Sequence, residues 1–171
     1  MKKYITLLLA VAMSNLAMAQ IEKAEIIATG LTCSMCSNAI YKQLHRNPEI
    51  DKVEANLNTN TFTVYFKKGN TVKPIDLRLN VEEAGFYIGS LTVYLPTNTI
   101  IVNGIKTFAQ GKTNFEILEG TFAKNTKLIK AKIFDKGFVT TKEYKKIAKG
   151  FNSTLSVMSD GQELYHVKIM Q

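Results

Sequence analysis

A chain of 171 residues has room for one or two small domains, and its apolar fraction of 46% is that of an ordinary globular protein. The formal net charge of +8 is unevenly placed: residues 20–96 carry eight basic and eight acidic side chains, whereas residues 97–171 carry twelve basic and six acidic ones, and all twelve are lysine. Arginine is the side chain suited to forked recognition of phosphates and bases, so an all-lysine excess argues against a nucleic-acid partner and for a solvated basic surface.

The first nineteen residues are set apart from the fold. Lys2 and Lys3 form a positive start, Ile5 to Met13 an apolar stretch, and Ala17-Met18-Ala19 a small-x-small cleavage site, so residues 1–19 are expected to be a secretory signal peptide cleaved after Ala19. A membrane anchor needs about 18–20 unbroken apolar residues, and Ser14 and Asn15 interrupt the run. The cysteine that a bacterial lipid anchor would require does not follow the apolar stretch. The mature protein is therefore expected in the periplasm or outside the cell.

Residues 23–29 read as a strand, with Ala24, Ile26 and Ala28 on one face. From Ser34 the period becomes helical: Cys36, Ala39, Ile40, Gln43 and Leu44 share one face, and Asn47-Pro48 stops the helix. Val53, Ala55 and Leu57, then Phe62, Val64 and Phe66, alternate on either side of Asn58-Thr59-Asn60, as in a β-hairpin. Pro74 suits the first turn of a second helix ending near Gly85, and Ile88 to Leu95 is a last strand. The order β-α-β-β-α-β over residues 20–96 is a ferredoxin-like α+β unit. The second helix bears two apolar stripes, Leu77, Val81 and Ala84 on one side and Val72, Ile75 and Leu79 on the other. A helix on one sheet needs only one stripe, so the other is expected to dock against the rest of the chain.

Pro96-Thr97-Asn98-Thr99 reads as a linker to a second domain, residues 97–171. Strands are expected at 100–102 and 106–109 around Asn103-Gly104, then at 113–118, 128–134 and 138–140. A helix follows at 141–149, with Thr141 as N-cap and Gly150 as C-cap, and the last strands lie at 154–158 and 164–170. This is a small, mostly β domain whose element order fits an OB-like barrel.

The chemistry is concentrated between the first strand and the first helix. The chain has two cysteines, Cys33 and Cys36, in the stretch Gly30-Leu31-Thr32-Cys33-Ser34-Met35-Cys36. Unpaired N–H groups and the dipole at a helix start favour a thiolate. Two thiolates at this spacing can grip one soft d¹⁰ ion and leave it open to an incoming third thiolate, or they can close into a disulfide. A structural zinc site wants four ligands; His45 lies too far along its helix and His166 in the other half. His166 and Met170 fall at i, i+4 and are read as an edge-strand histidine and a packed methionine rather than as ligands. Met35 is expected to point outward, and Tyr65 is read as ordinary strand chemistry. With two histidines in separate halves, no Gly-x-Ser-x-Gly elbow and no glycine-rich phosphate loop, no enzyme is expected.

Residues 23–95 resemble the heavy-metal-associated domain, the family of copper chaperones, the amino-terminal modules of metal-transporting P-type ATPases and the periplasmic mercury-binding protein. The family motif Gly-Met-Thr/Ser-Cys-x-x-Cys is matched by residues 30–36, and Gly85-Phe86 matches the family's Gly-Tyr/Phe. The resemblance implies that Cys33 and Cys36 are the metal ligands, that the Phe86 ring covers the loop, and that Leu31 replaces the methionine buried beneath it. Asn80 departs from the family, which has a small apolar residue there. The implied cargo is Cu(I), with Ag(I), Hg(II) and Zn(II) as further candidates, and the implied partner is a metal-transporting membrane protein or another envelope protein. Two such loops can share one ion, giving a metal-dependent dimer. Two other readings stay open. The thiols of an exported protein can rest as a redox-sensitive disulfide without metal. Alternatively, the first domain is a docking module for a second half that binds an envelope partner.

Overall fold

The computed structural model describes residues 21–102, 104, 106–111, 113–121, 126–149 and 163–170. The first half runs β1 (Lys23–Thr29), α1 (Ser34–His45), β2 (Ile50–Asn56), β3 (Thr61–Phe66), α2 (Pro74–Glu83) and β4 (Tyr87–Pro96). Its strands lie side by side as β2-β3-β1-β4, every neighbouring pair antiparallel. This is the expected ferredoxin-like arrangement, with α1 and α2 packed against each other and against strands β2 and β4 respectively. Ala24, Ile26 and Ala28 of β1 and Phe62 and Val64 of β3 are buried. On α1 the buried residues are Ser37, Ile40 and Leu44. The expected face is thus turned by about one position, which leaves Cys36 half-buried at its rim and Ala39 exposed.

The second half supplies β5 (Ile100–Val102), β6 (Thr107–Gln110), β7 (Thr113–Glu119), β8 (Leu128–Ile133), α3 (Thr141–Ala148) and β9 (Leu164–Met170). An OB-like barrel does not form among the described residues. All nine strands join one open sheet, β2-β3-β1-β4-β8-β9-β7-β6-β5, with β2 and β5 at its edges. The junction is β4, which pairs with β1 on one side and β8 on the other, placing Leu91, Val93 and Leu95 opposite Ile133, Ala131 and Ile129. All six side chains are buried. An apolar edge strand would otherwise leave a row of backbone donors and acceptors unpaired, and β8 satisfies that edge instead of closing on its own half. The core is accordingly continuous, running from Ile26 and Leu44 to Phe108, Phe115 and Val167.

The extra stripe on α2 meets the second half in part. Val72 lies before the helix rather than on it and is buried, and Ile75 packs on the core, whereas Leu79 is 44% exposed. Polar contacts do the rest: Lys73 lies 3.5 Å from Glu163, and Arg78 donates to the Lys136 carbonyl at 3.3 Å while stacking over Phe138. The buried Tyr165 phenol, pushed up by desolvation, donates to Glu163 at 2.7 Å.

The local corrections are small. Thr140, not Thr141, caps α3, its hydroxyl accepting from the Glu143 N–H at 3.3 Å, and the C-cap is Lys149. Residues 138–140 form no strand and contribute two isolated bridges, both at Val139, to Ser90 and to Lys136. The strand expected at 154–158, Gly150 and the first twenty residues lie outside the described residues. His166 is not on an edge, because β9 lies between β8 and β7. It is buried between two carboxylates, Nδ1 2.9 Å from Asp135 and Nε2 3.4 Å from Glu116, and Met170 is 42% exposed rather than packed. No described helix is long and apolar enough to cross a membrane.

Candidate metal centre

Three elements converge on the cysteine loop. The β1 strand ends at Thr29, and Gly30 turns the chain with a φ of +85°, a left-handed conformation that a side chain would strain. Cys33 then takes the N-cap position of α1 in extended conformation, and its carbonyl accepts the Cys36 N–H at 3.1 Å. Cys36 stands in the first helical turn, where N–H groups have no helical partner. Cys33 makes no side-chain capping bond, so its sulfur is free to face its partner.

The two sulfurs lie 2.9 Å apart, both thiols free, Cys33 exposed and Cys36 half-buried. The Cys33 side chain, and after it the Thr32 backbone, hold the Cys36 thiol below its ordinary range. Among the described residues no third cysteine, histidine or carboxylate joins them in a group able to hold an ion. The site is therefore a pair of soft donors at the protein surface, with the Cys36 thiol held lower than usual by its neighbours. Such a pair suits a soft cation that enters and leaves, not the closed four-ligand shell of a structural zinc. Met35, between them in sequence, is 80% exposed and points outward as expected.

The ring of Phe86 reaches the loop through the end of α2. Gly85, at φ +87°, follows the helix C-cap. The Gly85 N–H donates to the Glu82 carbonyl and the Phe86 N–H to the Val81 carbonyl, at 2.9 and 3.1 Å. This pair of bonds is a Schellman motif, and it delivers the half-buried Phe86 ring to Gly30, where an added Cβ would lie 3.9 Å from the ring. Leu31 is half-buried against the core beneath the loop. Cys33, Cys36, Leu31 and Phe86 are thus gathered at one end of the sheet. Asn80 is more awkward: its Oδ1 is buried with no hydrogen-bond partner among the described residues.

A feature the sequence did not disclose lies beside the loop. In the β1–β4 pairing Ile27 faces Ser90 and Ala28 faces Ile88, so Gly89 is an extra residue in β4. A Cβ on Gly89 would lie 2.5 Å from the Thr29 methyl. This glycine bulge lets β4 close tightly on the strand end that launches the loop. Its only sequence signal is a glycine inside an apolar run.

Residues 25–86 match the family model of the heavy-metal-associated domain. A copper-exporting P-type ATPase of Staphylococcus haemolyticus is 41% identical over 51 residues, a match that spans 30% of this chain and 6% of that protein's length. Among solved structures, the yeast copper transporter domain in its apo and Cu(I)-loaded states is 29% identical, covering 38% of this chain and 88% of that one with a TM-score of 0.35. The N-terminal domain of a potential copper-translocating P-type ATPase from Bacillus subtilis is 30% identical, covering 39% and 82%, also with a TM-score of 0.35.

Proposed function

We propose that this chain, whose residues 25–86 are a heavy-metal-associated domain, is an exported, non-catalytic carrier that binds Cu(I) through the Cys33 and Cys36 thiolates and passes it on. The observation that carries this reading is the isolated pair of neighbouring sulfurs at a helix start with no third ligand among the described residues; to take an ion between them they would open from their 2.9 Å separation. Transfer then proceeds by exchange: an incoming thiolate of a partner takes a place on the ion as one cysteine leaves it, with no change in oxidation state. The Phe86 ring packs at Gly30 and Leu31 packs on the core, so an incoming thiolate would approach from the solvent side, where Cys33 is exposed. The copper named for the matched ATPase favours Cu(I) over Ag(I), Hg(II) and Zn(II) as cargo. Residues 1–19 would direct export, and the partner would be a metal-transporting membrane protein or another envelope protein. Titrating the reduced protein with Cu(I) against a competing chelator should show one tight equivalent that Cys33→Ser abolishes. Undiminished binding by that variant would sink the proposal.

A second reading has a specific observation behind it. Two free thiols at 2.9 Å need little movement to become a disulfide, and an oxidising compartment would favour one. Under that reading the domain is a redox-sensitive module without metal, and protein taken from its compartment would show no alkylatable thiol.

A further inference from the structure

A groove of about 1010 Å³ opens at the end of β1, lined by Thr29, Tyr87 and Arg78 of the first half and by Lys136, Tyr144 and Lys145 of the second. Thr29, the last residue of β1 before the cysteine loop, lines the groove, and its hydroxyl donates to the Tyr87 carbonyl at 3.2 Å; residues 30–36 themselves do not line it. Its lining holds three cationic side chains and a single carboxylate, Glu82, which lies 3.4 Å from the Arg78 guanidinium. Arg78 is one of only two arginines in the chain. It is clamped by the Phe138 ring 5.3 Å away and by the Lys136 carbonyl. Gly137 makes room for it, since a Cβ there would come within 3.0 Å of the guanidinium. Lys136 and Lys145 are exposed and make no ion pair among the described residues. Tyr87 is 69% exposed, an aromatic surface next to the charges.

The geometry points to a binding groove for an acidic protein segment, in which Arg78, Lys136 and Lys145 receive carboxylates at the strand end from which the cysteine loop starts. Arg78 has its Nε buried toward Glu82 and its Nη1 donating to the Lys136 carbonyl, so what it offers the groove is a positive charge fixed in place. The two lysines supply attraction without fixed geometry, and the tyrosines supply area at small entropic cost. The groove is concave and lies between elements, a shape that suits an extended segment rather than a flat lipid surface. The second half thereby acquires a role: it selects which acidic surface is brought against Cys33 and Cys36. The inference takes from the proposed function only the location of the exchange site, and the groove's own chemistry does not depend on metal.

The test uses metal-free chain from Gln20 onward, which contains every described residue, and a short fluorescein-labelled peptide of alternating glutamate and alanine. Anisotropy should report binding, and amide shifts should move at Thr29, Gly137 and Val139. The paired change Lys136→Glu and Lys145→Glu should weaken it at least about tenfold. Lys68→Glu, an exposed charge reversal in the loop after β3, should leave it within about twofold. Arg78→Lys should weaken it several-fold, because the charge stays while the contacts with Phe138 and the Lys136 carbonyl that fix it are lost. Absent peptide binding, equal weakening by Lys68→Glu, or binding only to phosphatidylglycerol vesicles would each overturn the inference. Cu(I) titration of the same variants separates the two ideas: the groove variants should bind copper normally, whatever becomes of the peptide.

Discussion

Cys33 occupies the N-cap of α1 and gives the helix no side-chain hydrogen bond, although serine, threonine and aspartate are the residues that stabilise that position. Stability has been forgone there for a sulfur. Cys33→Asp should therefore raise unfolding stability by about 0.5–1 kcal/mol while abolishing copper binding, measurable by denaturant melts alongside metal titration. At Cys36 the argument is electrostatic. Its thiol is held low first by the Cys33 side chain, so it should already be deprotonated at pH values where an ordinary cysteine, near 8.5, is not. The pH profile of its alkylation should have a midpoint below that value, and Cys33→Ser should move the midpoint up. A midpoint unmoved by the substitution would show that Cys33 does not stabilise the thiolate. Asn80 makes the opposite case: a buried oxygen without a partner, in a helix where alanine is the better former, so Asn80→Ala should stabilise the fold by about 1 kcal/mol in the same melts.

At the scale of elements, two glycines set the loop's surroundings. Gly85→Ala should cost about 1 kcal/mol, because its φ of +87° lies where a Cβ is strained, and should loosen Phe86 over Gly30. Gly89→Ala should cost about 1–3 kcal/mol by pressing a methyl into Thr29, and thermal melts of the two variants would check both figures. The contrast shows what a sequence can carry. Gly85-Phe86 was readable because a helix end followed by glycine is a local signal. The bulge at Gly89 was not, because it depends on how β4 registers against a strand some sixty residues away in the chain. The α3 cap illustrates a signal present but misassigned. Thr140 and Thr141 are equally able to cap, but only Thr140 has a glutamate three places on, at Glu143, in the capping-box spacing.

For the molecule as a whole, the joint at β4 matters most. The sequence places the strands at 100–102, 106–109, 113–118, 128–134 and 164–170 within a few residues, whereas 138–140 forms only isolated bridges. The partner of β8 is not legible, since the alternation in Ile129, Ala131 and Ile133 says which face is buried and nothing about which neighbour is paired. Because β8 covers the second edge of β4 and α2 contacts Lys136, Phe138 and Glu163, residues 20–96 alone should be less stable than the longer chain and prone to associate through the bared β4 edge. Denaturant unfolding and light scattering of both species would show it; equal stability would mean that the joint contributes little.

The central claim is that the sulfur pair carries a soft metal in the compartment where the protein works. Its most direct test is the metal content and thiol state of the protein isolated from that compartment without added reductant. The account predicts about one copper per chain, with both cysteines alkylatable once the metal is stripped by a chelator. Metal-free protein in which neither Cys33 nor Cys36 can be alkylated would contradict it.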